Sequence, residues 1–308
     1  MKQDQNNSQF TAAALRQVPR PAWLGHLADY WTLTKPEVNF LVLVSALVGF
    51  YLAAPGAIEG WLLFHTLLGT LLVASGTGTL NQYIERRTDA CMRRTAKRPL
   101  PSGRLAPAAA LWFGILVSIA GGVELWVAAN PLTSVLALST LVTYLALYTP
   151  LKRRTPLCTV VGAFPGAMPP LIGWAAVRNG LNAEAWVLYA ILFLWQFPHL
   201  LAIAWMYRED YARAGLLMLP RGDHDGRATG RRILGCTLAL VPVSLIPAFT
   251  GQAGWLYLVG AGILGAGFLY YGVRMAGRRS SSLARQLLLA SITYLPLVFA
   301  LLMIDRAM

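Results

Sequence analysis

From residue 37 onward the chain alternates long apolar runs with short polar interruptions. The runs return again and again at the length of a membrane crossing. About 30 Å of hydrocarbon needs roughly 20 residues at about 1.5 Å per residue, and nine windows of that kind predict nine transmembrane helices, at 37–54, 61–80, 107–128, 132–149, 156–176, 184–206, 233–250, 255–273 and 284–304. Two kinds of interruption separate them. Some are very short, such as ANP near 130 and TGQAG near 252, whereas 81–106 and 207–232 are long and charged. Upstream, AWLGHLADYWTLTK places Trp23, Leu24, Leu27 and Trp31 on one helical face, which predicts a helix lying in the interface. The expected organisation is all-α: residues 1–34 form a cytoplasmic tail with an interfacial helix, and 35–308 form one polytopic domain around a central cavity.

Charge sets the expected orientation. With the amino terminus inside, all but Arg178 and Arg306 of the 26 Lys and Arg residues fall on the cytoplasmic side. Both long polar loops then share that face. Each follows an even-numbered span, with four crossings between them, so two parallel four-helix repeats plus a ninth helix are expected.

Composition agrees with a membrane protein: 56% of residues are hydrophobic and 13% charged, against about 25% charged in soluble domains. The formal net charge of +13 would suggest nucleic-acid binding in a soluble chain, but here the cations lie between apolar runs and read as topology signals, so no nucleic acid is expected. Cys91, Cys158 and Cys236 are far apart and form no CxxC pair, so they imply neither a disulfide framework nor a zinc site. MKQDQNNSQFTAAALRQVPRP shows no apolar core followed by a cleavage site, and a mature, loosely ordered tail is expected there.

The candidate chemistry begins in NQYIERRTDACMRRTAKRPLPSGR, residues 81–104. Asn81, Glu85 and Asp89 are spaced i, i+4, i+8. A helix continuing through them presents all three on one stripe about 12 Å long. Such oxygen ligands suit a hard cation such as Mg²⁺, which commonly bridges to substrate phosphates. WMYREDYARAG supplies Glu209 and Asp210 after the sixth span, while Arg93, Arg94, Lys97 and Arg98, and then Lys152, Arg153 and Arg154 of LKRRT, are suited to phosphate oxygens. Spacing alone leaves a second reading open, in which Glu85 and Glu209 pair with nearby arginines as solvated surface ions. Arg86 and Arg87 stand beside the stripe and are assigned to topology only. His26, His65 and His224 read as structural or solvated, and Glu124 as a packing partner.

These residues resemble the protohaem IX farnesyltransferase (haem O synthase) family, within the UbiA-like superfamily of intramembrane prenyltransferases. The resemblance rests on residues 81–104, on YTPLKRRTP at 148–156, on GAFPGAMPPLIGW at 162–174 and on WQFPHLLAIAWMYREDYARAGLLMLP at 195–220, and extends from about residue 30 to the end. It implies that Asn81, Glu85 and Asp89 carry the first metal and diphosphate motif, and Asp210 with Glu209 the second. Glu85 stands where the superfamily usually has Asp, and the second segment has fewer acids than usual. WQFPH of the haem branch carries His199, which reads either as a contact for haem or its reacting side chain or as the donor of a structural hydrogen bond.

The implied reaction moves farnesyl from farnesyl diphosphate to a vinyl group of haem B, and water adds to give a hydroxyethylfarnesyl side chain. Mg²⁺ is the implied cofactor, the bacterial cytoplasmic membrane the implied location, and an enzyme of haem A synthesis a candidate partner. Tyr144, Tyr148, Trp195 and Phe197 are candidates to line the allylic cation's path with their ring faces. Gly162, Pro165, Gly166, Pro169 and Pro170 predict a break in the fifth span, which is tolerated where it lines a cavity. Two other functions share many of these features: prenylation of a phenolic or quinone precursor, and a transporter or lipid-binding scaffold. The orientation is testable by itself. A cysteine placed at Ser102 should react with an impermeant maleimide only from the cytoplasmic side, and labelling from the opposite side alone would reverse the assignment.

Overall fold

The computed structural model describes residues 22–306, so the expected tail at 1–21 lies outside the described residues. Among the described residues nine helical spans are long and apolar enough to cross a membrane. A short helix α1 (Ala22–Thr34) precedes them. The spans are α2 (Pro36–Ala53), α3 (Gly60–Asp89), α4 (Pro107–Ala128), α5 (Pro131–Leu151), the pair α6 (Cys158–Gly166) and α7 (Pro169–Arg178), α8 (Ala183–Met206), α10 (Arg227–Phe249), α11 (Trp255–Arg278) and α12 (Ser281–Ile304). A one-and-a-half-turn helix, α9 (Arg208–Arg213), follows α8.

Local chemistry marks the ends. Proline occupies the first turn of α2, α4, α5 and α7, where its missing N–H leaves no bond unmade. Asn130, Asn182 and Ser280 accept hydrogen bonds from Thr133 N, Ala185 N and Leu283 N, capping α5, α8 and α12. Trp112, Leu116, Ile119, Val123 and Val127 make an exposed apolar stripe along α4, as expected of a lipid-facing surface.

The main departure from the expected spans is α3, whose 30 residues run through Asp89 rather than stopping near residue 80. At about 1.5 Å per residue it measures about 45 Å, well beyond the hydrocarbon thickness, so its last turns carry the acidic stripe out of the membrane. The apolar windows ended where hydropathy fell, but the helix had no reason to end there. The expected break in the fifth span is present at Ala167 and Met168. Gln196 of α8 lies against it and donates to Ala163 O at 2.8 Å, a carbonyl that also accepts from Ala167 N at 3.1 Å, so this buried side chain finds a partner beside the break.

Helix α3 packs along α4, α2 along α7, and α8 against α10 and α12, with α11 covering α10 and α12. In a bilayer, close packing replaces hydrophobic expulsion as the force between helices, and small residues permit it. The α2–α7 crossing depends on Gly49 and Gly173: a Cβ on Gly173 would overlap Ala46 O, and one on Gly49 would overlap Pro170 O. Both obstacles are backbone and cannot rotate away. The far end of α2 is held by the two arginines excluded from the cation-rich face. Arg178 Nε donates to Ala53 O at 2.6 Å, Arg306 Nη1 donates to Tyr51 O at 2.8 Å, and Arg306 Nη2 donates to Ala54 O. They satisfy carbonyls that the helix end leaves unpaired.

Gly173→Val should therefore separate α2 from α7. The expected cost is at least the roughly 1–3 kcal/mol of an overpacked core. A thermal-shift assay in detergent would show a lowered unfolding temperature, and an unchanged one would contradict the packing argument.

Candidate active site

At the cation-rich end of the bundle, α3 delivers Asn81, Glu85 and Asp89 along one face as their spacing requires. Asn81 and Asp89 are buried, and the Glu85 side chain is 13% exposed. A carboxylate removed from water needs a counter-charge or hydrogen bonds, and each acid here has both available. Lys152 Nζ donates to Glu85 Oε1 and Oε2 at 2.9 and 3.0 Å. Asn81 Nδ2 donates to Glu85 Oε2 at 3.0 Å and to Thr149 Oγ1 at 3.3 Å, while Asn81 Oδ1 accepts from Lys35 Nζ at 2.9 Å. Asp89 Oδ2 accepts from Arg98 Nη1 at 2.7 Å.

Asp210 belongs to α9 and is buried, whereas Glu209 beside it is exposed. Asp210 Oδ1 pairs with Arg213, and its Oδ2 accepts from the backbone N–H of Arg94 at 3.3 Å. The turn after α3 is anchored on Asp89, whose carbonyl accepts from Met92 N at 3.3 Å and from Thr95 Oγ1 at 2.8 Å. Residues 89–95 thus join the two acidic segments directly. The Arg94 guanidinium lies over the Tyr207 ring at 5.1 Å. Arg93 and Lys97 are exposed at the surface of this turn. Among the described residues no three His, Cys, Asp or Glu side chains converge as a closed ligand cluster. The acids are separated by their cations.

A π-helical segment within α5, Thr143–Tyr148, shifts the register. Thr149 Oγ1 donates to Tyr144 O at 2.9 Å there. Lys152 then projects its ammonium over the rings of Tyr148 and Tyr144, 4.5 and 5.9 Å from their centroids. Its neighbour Arg153 goes the other way: it is exposed and donates to Thr88 Oγ1. Lys152 therefore meets Glu85 directly, whereas Arg153 lines an adjoining crevice that it shares with Arg87, Arg154 and Glu85 itself.

Lys35 was not marked as a site residue by sequence, because a cation just before a first span reads as topology. Its backbone takes the left-handed conformation, φ 53°, unusual for a residue other than glycine. Burial, then the charges of Arg98 and Lys152, push its ammonium pKa down to about 7.

From Lys35 a cavity of about 250 Å³ extends into the membrane between α2, α3, α5, α7 and α8. Val42, Val73, Ile172 and Leu192 make it apolar, and Tyr144, Trp195 and Gln196 line it as well. Tyr148 instead packs with Cys158 behind Lys152, and Phe197 faces a different groove beside α10. His199 is turned toward α12, with Nδ1 2.8 Å from Ser291 Oγ, and stacks on Trp195 at 4.7 Å between ring centroids. His65 pairs with Glu124 between α3 and α4, toward the opposite end of these helices.

The arrangement joins an apolar slot to a polar head lined by oxygen donors and cations, which suits a long-chain lipid ending in a diphosphate. Comparison with known proteins agrees. The chain is 54% identical over 290 residues, 91% of its length and 99% of the relative's, to protoheme IX farnesyltransferase of Solibacter usitatus, and 46% identical to the same enzyme of Koribacter versatilis over 94% and 96%. Its fold is similar to that of a digeranylgeranylglyceryl phosphate synthase, with TM-score 0.73, 16% identity and coverage of 91% of this chain and 98% of that one. It is also similar to a UbiA homologue of Archaeoglobus fulgidus solved with DMAPP and Mg²⁺, with TM-score 0.62, 14% identity and coverage of 89% and 99%. The UbiA prenyltransferase profile matches residues 42–298, more than half of the sequence, and the chain belongs to the UbiA prenyltransferase family.

Proposed function

We propose that this protein transfers farnesyl from farnesyl diphosphate to a vinyl group of haem B, with addition of water, giving haem O. The observation that carries this reading is the 54% identity to a protoheme IX farnesyltransferase over 99% of that relative's length. The site supports it, with an apolar slot for an isoprenoid and a cationic head for its diphosphate. The active face is proposed to be cytoplasmic, in the bacterial inner membrane, with the exposed Trp23, Leu24, Leu27 and Trp31 of α1 resting in the interface.

The donor set fits Mg²⁺: carboxylate and amide oxygens, each carboxylate partly or wholly buried and now balanced by a cation that phosphate could draw away. Asn81, Glu85, Asp89 and Asp210 would hold it, and it would supply positive charge to the departing diphosphate. Lys35, Lys152 and Arg98 stand within hydrogen-bond distance of those same donors. They bind the phosphate oxygens and stabilise the charge that develops as the bond from C1 to oxygen breaks. Tyr144 and Trp195 offer ring faces to the allylic cation and help exclude water. The terminal carbon of the vinyl group attacks C1, the carbon next to the porphyrin becomes cationic, and water adds there and releases one proton.

Membranes containing the protein, given farnesyl diphosphate, Mg²⁺ and haem B, should yield a haem heavier by one farnesyl group and one hydroxyl. A prenylated phenol formed in preference would redirect the assignment. Asp89→Asn and Asp210→Asn should each lower kcat by about 100-fold or more, the scale for losing charge stabilisation, while the detergent-solubilised protein stays monodisperse. Glu85→Asp should retain most activity, and its abolition in folded protein would remove Glu85 from the metal site.

A further inference from the structure

Gln196 lies next to Trp195 on α8, is 7% exposed and lines the cavity. Chemistry fixes the orientation of its amide. Ala163 O can only accept, so the Gln196 atom 2.8 Å from it is Nε2, and Oε1 is the other end of the group. Oε1 has no hydrogen-bond partner among the described residues and lies against Gly166, itself part of the cavity lining. A Cβ at Gly166 would overlap Oε1, so glycine leaves the oxygen the space that any other residue would take. A buried amide oxygen without a partner is costly. The cavity therefore favours a ligand that brings an O–H or N–H to this point.

The depth of Gln196 suits the reaction. It stands ten residues before the end of α8, about 15 Å by the helical rise, and Asn81 stands eight residues before the end of α3, about 12 Å. The segments that follow these two ends meet where Arg94 N donates to Asp210 Oδ2. Gln196 is thus about one turn deeper than the first oxygen donor of the head, at the level where the isoprenoid chain begins.

The cation formed beside the porphyrin has to meet water by its oxygen lone pair. A group that only accepts hydrogen bonds imposes that orientation, because it takes a water proton and leaves the lone pair free. An ammonium such as Lys35 does the reverse. The hydroxyls of Thr77 and Thr140 direct their protons to Val73 O and Leu136 O, yet can turn and donate to water instead. Asn39 supplies the other amide in the lining; its Nδ2 fastens Thr34 O and Ser75 Oγ, and it stands four residues from Lys35.

We propose that Gln196 is a catalytic residue whose Oε1 holds the water that adds to the prenylated haem cation. The inference rests on the function proposed above. The vinyl terminal carbon bonds to farnesyl C1, and the electron pair of the broken C1–O bond leaves with diphosphate. The water held on Oε1 then gives its lone pair to the cationic carbon, and its released proton passes to the departed diphosphate, a base that the reaction itself supplies. No oxidation state changes. Without a water so placed, the same cation loses a proton from the neighbouring carbon and gives an alkene, lighter by one water.

The test reads products rather than rate alone. Full-length protein in lipid nanodiscs is given farnesyl diphosphate, Mg²⁺ and haem B in isotopically labelled water, and the prenylated haems are resolved by mass spectrometry. Wild type should give the hydrated product with the label in its hydroxyl. Gln196→Leu should lower the ratio of hydrated to dehydrated product at least about tenfold, the factor for one lost hydrogen bond. Gln196→Glu, whose neutral carboxyl keeps a donor for Ala163 O and an acceptor for water, should hold the ratio within about twofold of wild type. Gly166→Ala, which crowds Oε1 but keeps the amide, should lower the ratio as Gln196→Leu does. An unchanged ratio in Gln196→Leu, or a fall in Asn39→Ala alone, would overturn the assignment. Equal loss of both products in Gln196→Leu, with a lowered unfolding temperature and an unchanged ratio in Gly166→Ala, would overturn it too and make Gln196 structural. A wild type that formed no prenylated haem at all would overturn the proposed function instead.

Discussion

A carboxylate taken out of water at the edge of a bilayer must be given a counter-charge, and this requirement organises the whole cation-rich end of the molecule. Glu85 has Lys152, Asp89 has Arg98 and Asp210 has Arg213. The pairs differ in depth: the Asp89 and Glu85 carboxylates are largely removed from water, whereas Arg213 stays in contact with solvent, which screens its pair with Asp210. Together they reinforce segments that small apolar clusters also join, Met92 packing with Tyr148 and Leu216, and Leu100 and Leu105 with Leu33. Lys152 ties the end of α5 to α3, Arg98 folds the loop after α3 back onto that helix, and the Arg94 backbone brings the same loop to α9. On the proposed function, a diphosphate with a bound divalent cation would replace these pairings, because it offers both signs of charge in one ligand.

The same economy of unpaired groups governs the opposite end and the middle of the bundle. Arg178 and Arg306, the two cations outside the topological bias, are both used on carbonyls at the end of α2. Gln196 meets the backbone beside the break between α6 and α7 by donating to Ala163 O. Backbone irregularity within a membrane is tolerated where protein satisfies it, and here that satisfaction allows a broken helix to line the cavity. The close α2–α7 crossing at Gly49 and Gly173 then fixes the far wall against which Ile172 presents its side chain.

Periodicity made the nine spans legible, and the i, i+4, i+8 spacing of Asn81, Glu85 and Asp89 already implied a common face. The length of α3 was not legible, since hydropathy reports where lipid ends and not where helix ends. Lys35 was missed because its contact with Asn81 joins positions 46 residues apart, and nothing in LTKP distinguishes a site cation from a topological one. The adjacent residues Lys152 and Arg153 look equivalent in LKRRT, yet the register shift in α5 sends one to Glu85 and the other to Thr88. WQFPH marked turns of α8 that lie beside the cavity, but the direction of each side chain depended on α12 and α6, whose proximity no local pattern encodes.

Lys35 also shows how the membrane surface enters the site. It sits at the joint between α1 and α2, just before Pro36, and a left-handed conformation is disfavoured for any residue with a Cβ. Residues held in sparsely populated regions typically cost about 1–3 kcal/mol and persist when their surroundings over-determine them. The surroundings here are specific: Gln82 of α3 donates to Thr32 O and Leu33 O at the end of α1, and Asn39 of α2 donates to Thr34 O and Ser75 Oγ. Asn81 and Gln82 thus divide the work, one facing the site and the other fastening α1. Because α1 exposes Trp23, Leu27 and Trp31, the helix that an interface would hold is bonded through one residue of α3 to the neighbour that meets Lys35. The seating of α1 on the bundle and the position of the Lys35 ammonium are consequently set by the same few hydrogen bonds.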